Sequence, residues 1–210
     1  IGSPLSFIFD PNVMYTDFTV ASGSTLSLQT GTIIRCTGSF INNGTIKIGT
    51  GALGGNLNAH GTRSGTPSYQ PPHPGVSRAA PAAGELGDDS DSRAEGFGGE
   101  EISSVMAAAL LKPGLFGGGG GAGGLYAANN SQVGGAGGGT LVVLCGGPVI
   151  NNGTIIADGE DPEVPSGGGG GGIVVLASRS SVALGSSSQI SVEGGKGGNG
   201  TDDTGPSGGG

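Results

Sequence analysis

The sequence predicts an all-β protein, a glycine-rich parallel β-solenoid-like stack of short strands with ordered polyglycine segments. Two observations support this fold class. The 210 residues include 50 glycines and are only 34% hydrophobic, so one large core packed from apolar side chains is not expected. A segment of the chain also recurs without a gap, and such self-similarity is typical of stacked repeats. A glycine-rich β-sandwich or barrel of hairpins is the alternative.

The clearest repeat matches residues 33–48 with residues 142–157. Both copies contain Ile-Asn-Asn-Gly-Thr-Ile, and cysteine aligns with cysteine. Each copy consists of β-branched residues interrupted by Asn and Gly, which predicts two short strands with a turn between them. We expect the intervening residues to loop outward, so that the two copies stack directly on each other.

Two looser copies extend the repeat. Residues 173–194 form the third copy, with Ala177 at the position of Cys145 and three more residues between its strands. The 32 residues from Cys145 to Ala177 fit one coil of a solenoid. Residues 18–28 form a partial first rung. Stacking is expected to bury one continuous stripe of apolar side chains: Ile46, Ile48, Ile155, Val174, Leu176, Ile190 and Val192.

The residues expected to shape each coil are structural rather than catalytic. Asn-Asn-Gly can turn the chain, because Asn and Gly tolerate left-handed backbone angles and the Asn side chains can bond nearby amides. The cysteines occupy one repeat position, so stacked coils would place their Cα atoms about 4.8 Å apart. Two buried thiols are one interpretation and a disulfide is the other. The set is Cys36, Asn42, Asn43, Gly44, Cys145, Asn151, Asn152 and Gly153.

The recurring glycine tracts have two interpretations. Glycine-rich sequence commonly forms flexible linkers, but extended polyglycine rods can also pack closely, because no side chain separates them. Three of the tracts adjoin an apolar strand, which favours ordered rods. The tracts are Gly117–Gly121, Gly134–Gly139, Gly167–Gly172 and Gly194–Gly200.

Composition divides the chain into three parts. Residues 1–56 hold the N-terminal strands and first repeat, residues 57–116 form an irregular acidic insertion, and residues 117–210 form a glycine-rich region that we expect to continue beyond Gly210. The proline-rich residues 65–74 are not expected to form a ladder. Residues 100–114 predict the one short helix, with an apolar face for docking on the solenoid or for binding a partner.

Charge and motifs argue against several functions. A net charge of −8 disfavours nucleic-acid binding, and no segment is long and apolar enough to span a membrane. The acidic runs at 85–101 and 158–163 are interpreted as solvated loops, with metal binding as the alternative. His60 and His73 lie in the insertion, away from both cysteines. We therefore expect no enzyme activity, cofactor, or catalytic or metal site.

With its Ile-Asn-Asn-Gly-Thr-Ile copies flanked by glycine runs, the chain resembles glycine-rich surface proteins of tailed phages and prophages, including tail-fibre adhesins. It is also similar to the Asn-Gly repeats of bacterial autotransporter and filamentous adhesins. The resemblance covers residues 18–56 and 117–210. It implies an extracellular or virion location, a structural role in a phage virion or tail, and assembly as a trimer or fibre with other structural proteins.

Two alternative functions remain at this point. One is a bacterial surface adhesin that binds glycan or protein through the insertion, with a cell-surface receptor as its partner. The other is a polysaccharide-active β-solenoid enzyme, since paired carboxylates can hydrolyse glycosides.

Overall fold

The structure is a computed structural model that describes residues 13–51, 134–161 and 167–197, together with four short strands between the first two ranges. All regular structure among these residues is β, and none of them lies in a helix that could cross a membrane. The predicted helix at 100–114 falls outside the described residues.

Twelve strands form four successive coils of three strands each. Coil 1 contains β1 (Met14–Tyr15), β2 (Phe18–Val20) and β3 (Thr25–Leu28); coil 2 contains β4 (Thr32–Cys36), β5 (Phe40–Asn42) and β6 (Thr45–Ile48). Coil 3 contains β11 (Thr140–Cys145), β12 (Val149–Asn151) and β13 (Thr154–Ile156); coil 4 contains β14 (Ile173–Ser178), β15 (Val182–Leu184) and β16 (Gln189–Ser191).

Each coil contributes one strand to each of three parallel sheets. Sheet 1 has the order β1-β4-β11-β14, sheet 2 has β2-β5-β12-β15, and sheet 3 has β3-β6-β13-β16. Because each sheet follows the coils in order along its ladder, the chain winds as a three-sided parallel solenoid. The predicted β-solenoid-like stacking is therefore confirmed, and the alternative built from hairpins does not describe these coils.

The two near-identical copies are direct neighbours in the stack. Cys145 pairs with Cys36 in sheet 1, Ile150 with Ile41 in sheet 2, and Ile155 with Ile46 in sheet 3. The same offset of 109 residues holds in all three sheets. The gapless sequence alignment is thus the register of the ladder, although more than eighty residues separate coil 2 from coil 3 along the chain.

The predicted alignment of the third copy was wrong by one residue. Cys145 pairs with Ser178, not with Ala177, so the coil is one residue longer than expected. A slip of one residue would turn every side chain of the strand to the opposite face, whereas the observed register directs Val174 and Leu176 against the core. The second corner of coil 4 is correspondingly two residues longer than that of coil 3, since Val182 pairs with Val149 but Gln189 pairs with Thr154.

The core is a column of apolar side chains inside the coils. Phe40 lies at its centre, fully buried, and its ring stacks on that of Phe18 with centroids 5.8 Å apart. Alternate residues of each strand point inward, as the twofold period of a strand requires. The fully buried apolar members are Ile34, Phe40, Ile46, Leu141, Val143, Val149, Ile155 and Ala157.

The predicted continuous apolar stripe was only partly correct. Ile46, Ile48 and Ile155 are buried, but Ile190 and Val192 are 38% and 43% exposed. Ile190 belongs to coil 4, the last described coil. The inward-facing side chains of that coil have a neighbouring described coil on one side only. Val174 and Leu176 are half-buried and lie in sheet 1, whereas Ile46, Ile155 and Ile190 lie in sheet 3.

The glycine-rich segments between coils form a second packed layer, which we call the glycine bundle (residues 49–51, 134–139, 157–161, 167–172 and 192–197). Segment 167–172 makes backbone hydrogen bonds with three neighbours, namely segment 134–139, segment 157–160 and Gly195. A strand within a sheet has partners on two sides only. The donors Gly135 and Gly138, which bond to Gly167 and Gly170, are three residues apart, which is the period of a polyproline II helix.

Four strands lie between coils 2 and 3 and form two small antiparallel pairs. β7 (Asn56–Asn58) pairs with β8 (Ser68–Gln70), and β9 (Gly124–Leu125) pairs with β10 (Ser131–Gln132). The expectation that residues 65–74 form no ladder was therefore wrong. Ser68, Tyr69 and Gln70 lie between Pro67 and Pro71, so all three retain the amide hydrogen that a ladder needs.

Candidate functional site

Asn42 and Asn151 form a ladder inside the solenoid. Both are fully buried, and the Asn42 Nδ2 donates to Asn151 Oδ1 at 2.7 Å. Asn42 Oδ1 accepts from the Gly44 amide, while Asn151 Nδ2 donates to the Gly153 carbonyl. Each side chain thus bonds to the corner of its own coil and to the other Asn. Since a buried amide without a partner is costly, these bonds define the second corner of coils 2 and 3.

Asn43 and Asn152 form a parallel ladder on the outside. Asn152 Nδ2 donates to Asn43 Oδ1 at 2.9 Å, and both side chains are exposed. The Asn-Asn pair therefore supplies one inward and one outward amide at each corner. The inner ladder ends on apolar neighbours, Val20 in coil 1 and Leu184 in coil 4.

Gly44 and Gly153 are needed for close approach and not for a left-handed angle. Among the described glycines, positive φ occurs at Gly23 and Gly31. A Cβ on Gly153 would overlap with the carbonyl oxygen of Gly44 and lie 2.9 Å from its nitrogen, and a Cβ on Gly44 would overlap with the Ala21 carbonyl. The chain does turn at Asn-Asn-Gly, but neither glycine uses the left-handed angle that it tolerates; each glycine instead allows the corners to stack backbone on backbone.

Cys36 and Cys145 are free, buried thiols on adjacent coils. Burial, with smaller contributions from the hydrogen bond to Cys145 and the charge of Asp17, raises the pKa of the Cys36 thiol to about 12. Burial also raises the pKa of Cys145, against the hydrogen bonds from Cys36. A thiol attacks as its thiolate, so neither cysteine is set up as a nucleophile at neutral pH.

Two carboxylates of the acidic run at 158–163, those of Asp158 and Asp161, accept hydrogen bonds in and beside the glycine bundle. Asp158 Oδ1 accepts from Ser191 Oγ at 2.6 Å and from the Glu193 amide at 2.8 Å. Asp161 Oδ1 accepts from the Lys196 amide at 2.7 Å. These carboxylates link one coil to the next, and no group of three metal-ligating side chains occurs among the described residues. Glu163, His60, His73 and the first acidic run lie outside them.

A cleft lies on the outside of sheet 1, near its corner with sheet 2. Its volume is about 660 Å³. In register across the four coils lie Met14, Arg35, Leu144 and Ala177, so the cleft runs along the stack and across the strands. We call it the sheet-1 cleft, and its lining residues are Met14, Arg35, Cys36, Thr37, Leu144, Cys145, Gly146, Ala177, Ser178 and Arg179.

Two arginines give the sheet-1 cleft a positive charge. Arg35 is half-buried and Arg179 is exposed, and neither forms an ion pair with another described residue. The described lining residues include no Asp or Glu, so they provide no carboxylate pair for acid–base hydrolysis of a glycoside. What the cleft offers instead is an apolar floor with two guanidinium groups, which is an arrangement for binding.

The sequence did not lead to the sheet-1 cleft. Its residues differ in chemical type, and they become neighbours only after four coils are stacked in register. The sequence signal that could have indicated the cleft is the position directly before each aligned cysteine. This position faces outward and is occupied by Arg35 and Leu144. Comparison with protein-family models, with curated proteins and with solved structures found no significant match to this chain.

Proposed function

We propose that the protein is a non-enzymatic structural component of an extracellular particle or fibre, of the kind found in phage virions and tails. The observation that carries this proposal is the unbroken register of coils 2 and 3 on either side of the long insertion. A stack that keeps its ladder across such an interruption is suited to serve as a rigid support.

The means of stiffening is consistent with that role. Three parallel ladders and the glycine bundle join each described coil to the next through backbone hydrogen bonds. Backbone bonds need no particular surface side chains, which fits a chain with only 11% charged residues. In this proposal the protein assembles as a trimer or fibre with other structural proteins.

A direct test is the composition of purified particles. Mass spectrometry and antibody labelling of virions or surface fibres from the producing organism should find the chain in fixed stoichiometry with the particle. Analytical ultracentrifugation of the purified chain should show a discrete oligomer. A chain that stays monomeric and is absent from every purified particle would contradict the proposal.

The second candidate is an adhesin that binds glycan or protein through the insertion. It is favoured by a contact between the segments that precede and follow the insertion, where the Gly51 amide donates to the Gly137 carbonyl at 2.8 Å. A loop held at both ends by one rigid base is well placed to present a binding surface. Replacing the insertion, residues 57–116, by a short Gly-Ser linker should abolish adhesion to target cells and preserve the β-sheet circular dichroism spectrum. Unchanged adhesion by the folded deletion variant would reject this candidate.

A further inference from the structure

The sheet-1 cleft has no part in the structural role, yet it is the described region with the clearest binding chemistry. We propose that the sheet-1 cleft binds an anionic saccharide that lies along the solenoid axis, across the four coils. This inference goes beyond the proposed structural function and does not depend on it.

The positive charge of the sheet-1 cleft favours an anionic ligand. The chain carries a net charge of −8, so its surface as a whole repels anions, whereas the cleft holds two arginines without described ionic partners. Arg179 lies two coils above Arg35 and two residues further along the strand direction. Two coil spacings of about 4.8 Å separate their Cα atoms by about 10 Å along the stack, and Arg179 lies just beyond the end of β14. Two guanidinium groups at that spacing can hold two anionic groups of one extended ligand, or converge on one.

The floor of the cleft is the second argument. Met14, Leu144 and Ala177 place apolar atoms in the same outward column as Arg35. Binding sites for small organic ligands combine an apolar lining with a few placed polar groups. A sugar ring offers an apolar C–H face to such a floor and directs its carboxylate, sulfate or phosphate group to the arginines.

Orientation separates a saccharide from a peptide. A peptide that binds a sheet by strand addition needs an unpaired strand edge. In the cleft, β4 and β11 are paired on both sides, and the ligand path runs across the strands. A saccharide makes no ladder bonds, and the length of one ring in an extended chain is close to the spacing between coils, so successive rings can rest on successive coils.

The experiment measures binding of the full chain to a defined panel by isothermal titration calorimetry at low salt. The anionic probes are oligogalacturonate, sulfated carrageenan oligosaccharide and phosphorylated oligomannose, which distinguish carboxylate, sulfate and phosphate as the anionic group. Maltotetraose is the neutral probe, and a poly-glutamate peptide represents the other class of anionic ligand. The variants are Arg35→Gln and Arg179→Gln, with Lys47→Gln and Lys196→Gln as controls, since both lysines are exposed outside the cleft.

We expect at least one anionic saccharide to bind. Each arginine substitution should lower the affinity for that saccharide by about tenfold or more, as expected for the loss of one charge-assisted contact. The lysine variants should bind within about twofold of the parent chain, because exposed charges outside the site act weakly. Maltotetraose should not bind measurably.

A second pair of variants blocks the site without removing an arginine. Ala177→Glu places a carboxylate in the column of Arg35 and should abolish binding, while Ala183→Glu, an exposed position of coil 4 in sheet 2, should have no effect. The proposal is overturned if no anionic saccharide binds, if maltotetraose binds equally well, or if arginine and lysine variants lose affinity to the same extent. Arginine-dependent binding of poly-glutamate in place of the saccharides would also overturn it and assign the cleft to acidic peptides.

Discussion

Substitution of Gly153 by Ala tests whether the corners of coils 2 and 3 stack backbone on backbone. The new Cβ would overlap with the Gly44 carbonyl oxygen, so the two corners must separate. Three hydrogen bonds cross this contact: Asn152 N to Asn42 O at 2.8 Å, Gly153 N to Asn42 O at 3.0 Å and Thr154 N to Gly44 O at 2.9 Å. At about 1 kcal/mol net for each bond, their loss lowers the free energy of unfolding by about 3 kcal/mol.

The assay is thermal unfolding followed by circular dichroism. For a chain of this size, about 3 kcal/mol corresponds to a decrease in Tm of roughly 6–12 °C. Gly49→Ala is the matched control, because the nearest atom to its Cβ would be the Leu28 carbonyl oxygen at 3.5 Å, an ordinary van der Waals distance. The control should change the free energy of unfolding by no more than about 0.5 kcal/mol. Equal Tm values for the two variants would refute the close stacking of these corners.

Three further predictions concern single side chains. Asn42→Leu should lower the free energy of unfolding by about 2 kcal/mol in urea denaturation, because Asn151 Oδ1 and the Gly44 amide lose their buried partner; a variant as stable as the parent would contradict the ladder. Burial raises the pKa of the Cys36 thiol from 9.0 in the unfolded chain to about 12 in the folded chain. The contribution of this thiol to stability should therefore be constant below pH 9 and should fall as the pH rises above 9. The Cys36→Ala variant should lose less stability above pH 9 than the parent chain. Rapid alkylation of the native Cys36 thiol at pH 7 would contradict its raised pKa. Asp17 accepts hydrogen bonds from the Ser39 amide and hydroxyl, which lower its pKa below 3.8. This carboxylate should therefore stabilise the fold above pH 3.8, and its contribution should be lost as the pH falls through its folded pKa. A pKa at or above 3.8 in an NMR titration would contradict the contact with Ser39.

The repeat was predictable because identical residues carry identical structural roles. Ile46 and Ile155 fill the same inward position, and the two Asn-Asn-Gly corners need the same bonds. These requirements fix the register of coils 2 and 3 within the sequence itself. The third copy was placed one residue out of register because Val174 and Val175 are both apolar, so composition alone does not say which of them faces inward.

Other features depend on the assembled stack. The role of Gly153 follows from a neighbour 109 residues away in the sequence, which no local turn rule describes. The sheet-1 cleft joins Met14, Arg35, Leu144 and Ala177 from four coils, and their identities share no pattern. The three-sided hydrogen bonding of the glycine bundle likewise becomes evident only when all its segments are present together.

The most direct test of the account is the distance between Asn43 and Asn152. In a Cys36→Ala/Cys145→Ala background, Asn43→Cys and Asn152→Cys provide exposed sites for nitroxide spin labels at the outer corners of coils 2 and 3. In-register neighbours lie about 5 Å apart at the backbone, so the doubly labelled chain should show strong dipolar broadening in its electron paramagnetic resonance spectrum. A spectrum equal to the sum of the two singly labelled chains would show that the copies are not stacked and would contradict the fold described here.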